Sequence, residues 1–336
     1  MVDTLEILKS ILAFPLQCNQ VIWEMASENI PHQCFLAENV VISGMGGSAL
    51  GGRIISNLER QVMKIPIIVS TEYHLPNFVG PKTLVVISSY SGDTEETISS
   101  LAEAQARSSQ IFIVTSGGKL ADIARSQSIP HYIYEPRHNP SKQPRMGLGY
   151  SIMATISLLS RCQLIHPISN LGQIKTFLSE QTNDLLPYEE LAKKLFNTIP
   201  IIVTSEHLKG AAHVFKNQLN ETGKTFACTF DIPELNHHLM EGLSFPKSNP
   251  QNLHFLLIET ENYNSEVKKR YPLTKQVISN NHIPSTILTI KSPNRLFDAL
   301  YLVQAGALTS YFLSQLNQID PGPVPWVEFF KHQLPG

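Results

Sequence analysis

TLVVISSYSGDTEETISSLAEAQARSSQIFIVTS, residues 83–116, is the stretch on which the fold turns. It opens on a β-branched apolar run at 83–89 and closes on another at 111–116. Between them, DTEETISSLAEAQARS carries helix formers with its acids at the front, where they complement the positive end of a helix dipole. Apolar strands without polar alternation, joined by a helix, belong to a parallel sheet covered on both faces. The rhythm continues on both sides: NVVIS at 39–43, GGSALGGRIISNLE and IPIIVS at 65–70 come before, and KLADIARSQ comes after. The expected class is α/β. Prolines at 136, 140 and 144 in EPRHNPSKQPRMG end this lobe, since they forbid a continuous helix or a central strand.

A second alternation follows. GYSIMATISLLSRC and the segments around 170–181 and 188–197 have helical spacing, IPIIVT at 199–204 reads as a strand, and HLKGAAHVFKNQLNETG reads as a helix ending at Gly223. LHFLLIE at 253–259 and HIPSTILTI at 282–290 read as further strands. RLFDALYLVQAGALTSYFLSQLNQ at 295–318 is apolar nearly all round and therefore buried, and DPGPVP at 320–325 breaks it before a final short helix, WVEFFKHQ. The expected domains are 1–145 and 146–336, each a mostly parallel sheet flanked by helices, the second carrying the C-terminal helix.

Composition narrows the function. The 336 residues are 42% hydrophobic and 16% charged, enough apolar side chain for two cores and too little charge for disorder. Lys plus Arg (26) nearly balance Asp plus Glu (28), which leaves no electrostatic footprint for nucleic acid or an anionic membrane. Cys18, Cys34, Cys162 and Cys228 lie far apart with no Cys-x-x-Cys pair, as expected of reduced thiols and not of a zinc site. MVDTLEILKSILAFPLQ reads as an amphipathic helix and not a signal peptide, and no window approaches 18 uninterrupted apolar residues. The expectation is a soluble, cytoplasmic protein.

Two loops could carry chemistry. SGMGGSALGG, Ser43 to Gly52, follows the first strand, and its glycines let backbone N–H groups at a helix start approach an anion. Gly44, Gly46 and Ala49 also satisfy G-x-G-x-x-A, with Glu72 placed to meet a ribose, so a nicotinamide dinucleotide is a rival ligand. A bare strand-to-helix turn is the plainest alternative. The second loop sets Ser89, Ser91 and Thr94 beyond another strand, where three hydroxyls and a helix start can hold one phosphate without a lysine. Helix capping by Asp93-x-x-Glu96 would account for part of it, but not for the Ser89-Tyr90-Ser91 run.

GMGGSALGG, SSYSGDTEET, PRMGLGY, KNQLNETGKTFA and PELNHHLMEG occur in that order. With these motifs the chain resembles the bifunctional phosphoglucose/phosphomannose isomerases of the sugar isomerase (SIS) superfamily over nearly its whole length. The resemblance implies two SIS lobes and an aldose-ketose isomerase interconverting glucose 6-phosphate, and mannose 6-phosphate, with fructose 6-phosphate, without cofactor or metal. It implies phosphate binding by Gly47, Ser48, Ser89, Ser91 and Thr94, Glu221 as the base for the C1/C2 proton, Arg145 facing the enediolate, and His237 and Lys331 as ring openers. It also implies a homodimer whose active sites are shared, with the histidine reaching across from the partner subunit.

The chain departs from the family pattern in places. His237 is followed by His238, Leu239 and Met240, with an acid only at Glu241, where the family commonly reads H-N-E. Asp93 replaces the usual Asn and puts a carboxylate near the phosphate unless it turns outward as a cap, and Gly322 stands where relatives often carry threonine. These changes keep a non-catalytic sugar-phosphate sensor open as an alternative.

Overall fold

This computed structural model describes residues 4–58, 60, 63–166 and 168–334, and among them nine strands form two sheets, parallel throughout. The first sheet holds β1 (Asn39–Ser43), β2 (Ile67–Ser70), β3 (Thr83–Ser89), β4 (Gln110–Thr115) and β5 (His131–Ile133) in the order β2-β1-β3-β4-β5. The second holds β6 (Ile199–Thr204), β7 (Cys228–Asp231), β8 (Leu253–Thr260) and β9 (Ser285–Ile290) in the order β7-β6-β8-β9. Every residue of β3 is buried, the environment its unbroken apolar run calls for. Register places Val41 between Ile68 and Val85, so β1 is an interior strand, and β3 runs two residues past its end to Ser89.

Helices pack on both faces. Helix Leu148–Arg161, which follows the expected junction at 145/146, lies against helices Phe14–Ser27 and Leu50–Leu58. The 295–316 helix (Arg295–Leu316) is long and apolar enough to cross a membrane by length and composition. Of its most apolar 18-residue window, 83% is buried inside the protein, and the helix packs against helices Lys209–Glu221 and Leu186–Leu195. Helices Leu50–Leu58 and Lys209–Glu221 pack on each other, and a Cβ on Gly210 would lie 2.2 Å from the Arg53 carbonyl oxygen. One cluster of buried apolar side chains runs from Val40 and Ile42 through Ile152 to Ile202 and Leu256, so the two sheets share a core.

Several local expectations are corrected. β2 begins at Ile67 because Pro66 has no N–H for the ladder and contributes only its carbonyl, which accepts from Val40. β9 begins at Ser285, just after Pro284, for the same reason. The edge strands β5 and β7 were not anticipated: they are short, and every residue of β7 is half-buried, so neither shows a clear apolar run. The 209–221 helix does not end in a left-handed glycine, since Lys224 takes that conformation at φ 52°. The 4–12 helix (Thr4–Leu12) is amphipathic as expected, burying Ile7 and Ile11, while residues 1–3 lie outside the described residues.

Candidate active site

Both loops leave the carboxyl ends of β1 and β3, adjacent strands whose onward connections run to opposite sides of the sheet. A crevice opens at such a point in an open parallel sheet. The Ser48 hydroxyl accepts the Tyr90 N–H at 3.0 Å, which ties one loop to the other. The Ser89 hydroxyl accepts the Gly92 N–H at 3.1 Å and lies 2.9 Å from the Thr94 hydroxyl, and the Ser91 hydroxyl accepts the Asp93 N–H at 3.3 Å. Gly92 sits at φ 77°, and a Cβ there would lie 1.8 Å from the Gly117 carbonyl oxygen. Only glycine closes this turn.

Asp93 does not cap its own helix. Helix Glu95–Ala106 starts after Thr94 with no side-chain cap, and an Asp93 carboxylate oxygen accepts the Lys119 N–H at 3.0 Å. The carboxylate therefore serves the start of the neighbouring helix, Gly118–Ser126. This bond commits one of its carboxylate oxygens to a backbone N–H of that helix.

The segment between Asn139 and Gly147 brings Arg145 to the loops. Asn139 donates to the Tyr90 hydroxyl at 2.8 Å, and Gly147 has no room for a Cβ beside the Tyr90 ring. Gly47 faces the Arg145 backbone, with a Cβ position 3.8 Å from its Cα. The Arg145 guanidinium is largely committed: Nη1 donates to Gln143 Oε1 at 2.9 Å, and Nη2 donates to the Pro321 carbonyl at 2.8 Å and to that of Gly322. Its Nε is buried with no partner. An orphaned, permanently charged donor at this place is suited to an oxyanion.

Glu221 ends the 209–221 helix, within electrostatic reach of that guanidinium. Burial lifts its carboxyl above the ordinary glutamate value, opposed by Arg145, Lys224 and Lys216. The carboxylate makes no hydrogen bond or ion pair among the described residues. A half-buried, uncommitted carboxylate with a raised pKa has the properties of a general base near neutral pH.

Lys224 carried no assigned role in the sequence, although it is the lysine of N-E-x-x-K. Its ammonium donates to the Glu221 and Pro323 carbonyls, so Lys224 and Arg145 together hold the 321–323 backbone. The left-handed Lys224 backbone permits this reach. The signal was its spacing from the glutamate.

His237 and Lys331 are not brought to the others within this chain. His237 is exposed on the short helix Leu235–His238, and Lys331 is exposed on helix Pro325–Gln333. Neither makes a hydrogen bond or ion pair among the described residues, although Glu328, three positions before Lys331, is within electrostatic reach of Arg145. No residue of the 325–333 helix is buried, and Trp326 is 81% exposed. Among the described residues, no three His, Cys, Asp or Glu side chains converge to hold a metal ion.

Comparison with known proteins gives a consistent picture. The family model for the "Bacterial phospho-glucose isomerase C-terminal SIS domain" matches residues 187–334. A bifunctional phosphoglucose/phosphomannose isomerase from Caldicellulosiruptor bescii is 33% identical over 310 residues, 88% of this chain and 89% of that one. One from Aquifex aeolicus is 31% identical over 320 residues, 94% and 95% of the two chains. Among solved structures, the C-terminal domain of glucosamine-fructose-6-phosphate aminotransferase from Francisella tularensis superposes with a TM-score of 0.71 at 14% identity, covering 94% of this chain and 97% of that one. Tagatose-6-phosphate ketose/aldose isomerase from Escherichia coli gives 0.69 at 13% identity, covering 94% and 93%. At those identities the likeness is one of fold, and it agrees with two helix-flanked parallel sheets. With relatives this similar along nearly the full length of both partners, the chain belongs to the bifunctional phosphoglucose/phosphomannose isomerase family.

Proposed function

We infer that this chain is an aldose-ketose isomerase that interconverts glucose 6-phosphate, and mannose 6-phosphate, with fructose 6-phosphate. The observation that carries the mechanism is the uncommitted, partly desolvated Glu221 carboxylate within electrostatic reach of the Arg145 guanidinium, whose Nε has no partner and whose backbone faces Gly47 of the first turn. The phosphate rests on Gly47, Ser48, Ser89, Ser91 and Thr94, where hydroxyls now paired with one another reorient toward its oxygens. His237 and Lys331 open the ring by giving a proton to the ring oxygen and taking one from the C1 hydroxyl. Glu221 then removes the C2 proton of the open aldose, leaving an enediolate whose charge Arg145 meets through Nε–H. Return of that proton to C1, with the C2 hydroxyl passing its own proton to the C1 oxygen and becoming the carbonyl, yields the ketose. No atom is gained or lost overall.

The exposure of His237 and the bare apolar face of the 325–333 helix support a homodimer in which His237 completes the partner's site. Family membership favours this reading over the dinucleotide one, and a soluble, cytoplasmic enzyme fits it. Incubation with glucose 6-phosphate in heavy water is the direct test: deuterium at C2 of recovered aldose, with fructose 6-phosphate accumulating, is the expected result. The absence of both label and ketose would overturn the mechanism.

A further inference from the structure

The second sheet has a crevice of its own. β6 and β8 are adjacent, and their connections leave to opposite sides, as those of β1 and β3 do in the first sheet. Off their carboxyl ends lies a cavity of about 420 Å³, whose charged lining is Lys209, Arg295, Glu206 and Glu266 of the second lobe and Arg60 of the first, with His207 among its other lining residues. Helix Leu50–Leu58 starts at the Gly46–Ala49 turn and ends near this cavity, while helix Lys209–Glu221 starts at the cavity and ends at Glu221. The two sites are thus related by an internal exchange: the first lobe's site uses the far end of a second-lobe helix, and this cavity uses the far end of a first-lobe helix. Twelve helical residues at 1.5 Å rise put them about 18 Å apart.

The lining is specific. His207 is fully buried, its Nε2 lies 2.9 Å from Asp298, and its Nδ1 is buried with no partner. Asp298 also accepts from Thr260, Asn262 and Ser292. A carboxylate so placed keeps the imidazole proton on Nε2, which leaves Nδ1 as an acceptor for a hydroxyl. Lys209 is paired with Asp231 at 2.9 Å and Arg295 with Glu206 at 3.4 Å, and Glu206 also accepts the Asn264 N–H. Arg60 is exposed and has no carboxylate partner among the described residues, so it is the uncompensated cation of the cavity. One free guanidinium, the start of the 209–221 helix and an orphaned hydroxyl acceptor call for an anion that also carries hydroxyls.

We propose that this cavity is a second ligand site, distinct from the candidate active site, for a phosphorylated sugar or polyol no larger than a hexose monophosphate. Arg60 holds the phosphate and His207 accepts a hydroxyl. The site binds without isomerising, because the two carboxylates that line it, Glu206 and Glu266, are ion-paired with Arg295 and Lys269.

Calorimetric titration with glucitol 6-phosphate, which has no carbonyl and cannot be turned over, tests this. Two equivalents per chain are expected for the unaltered protein. Arg60→Ala should remove one equivalent or weaken it at least tenfold, and Ser89→Ala with Thr94→Ala should remove the other. A single equivalent in the unaltered protein, lost in Arg60→Ala but kept in the Ser89/Thr94 variant, would sustain this site and refute phosphate binding at the first. A single equivalent indifferent to Arg60→Ala, or no binding at all, overturns the proposal. Arg60 is exposed, so its variant is expected to fold, and a circular dichroism melt checks that it does.

Discussion

At the scale of single residues, the candidate site depends on one carboxylate held in an unusual state. Burial raises the Glu221 pKa, so the folded protein favours its protonated form. As pH falls through that raised value the base is lost. The acid limb of kcat/KM for hexose 6-phosphate is therefore expected above the ordinary glutamate value of about 4.3. A limb at or below that value would show that Glu221 is not the group titrating. The same sign governs stability: a raised folded-state pKa contributes stability below the unfolded value and loses it as pH rises through the folded one. Glu221→Gln, which mimics the neutral form, should melt at pH 7 no lower than the parent protein while turnover drops about 10²- to 10⁴-fold. Asp93 makes the opposite case. Its carboxylate caps the 118–126 helix from a neighbouring loop. Asp93→Ala should thus cost about 1 kcal/mol in urea unfolding and leave the KM for sugar phosphate nearly unchanged. A large fall in KM would mean that the carboxylate does oppose the phosphate.

At the scale of elements, the contact between helices Leu50–Leu58 and Lys209–Glu221 sets the position of Glu221 relative to the phosphate turn. The first helix begins beside that turn and the second ends in Glu221. Gly210 allows their close approach, since a Cβ would lie 2.2 Å from the Arg53 carbonyl oxygen and 2.7 Å from the Ile54 Cα. Gly210→Ala must push backbone against backbone, with an expected cost of about 1–3 kcal/mol. Because the shift moves the base relative to the bound phosphate, kcat should fall more than sugar-phosphate affinity. Equal kcat and stability in the variant would show that the helices separate without consequence. Most thiols lie in these packed layers: all four cysteines are free, and burial pushes Cys34 up to about 11 and Cys162 up to about 12. Such thiols are poor nucleophiles at neutral pH.

At the scale of the whole molecule, a single chain holds Glu221 and Arg145 together but leaves His237 and Lys331 facing solvent. Trp326, Phe329 and Phe330 on the C-terminal helix are exposed as well. If the proposed dimer supplies His237 across its interface, mixing two inactive proteins should restore activity. Glu221→Gln and His237→Ala chains, dissociated and reassociated in equal amounts, are expected to recover about a quarter of parental turnover. Half of the dimers are then mixed, and each of these has one intact site of two. No recovery, with mixed dimers demonstrated by mass, would place His237 in its own chain's site or outside the reaction.

The sequence by itself determined the architecture of two helix-flanked parallel sheets and the glycine- and hydroxyl-rich turns after β1 and β3. Those features are written in local physics: unbroken β-branched runs such as 83–89, and glycines and hydroxyls at the starts of helices. The edge strands β5 and β7, the bond from the Lys119 N–H to Asp93, the Lys224 grip on the 321–323 backbone and the opening lined by Arg60 and His207 were decided only by the tertiary structure. Each depends on groups far apart in the chain meeting across a packed core. Neither spacing nor periodicity records which distant donor reaches which carbonyl.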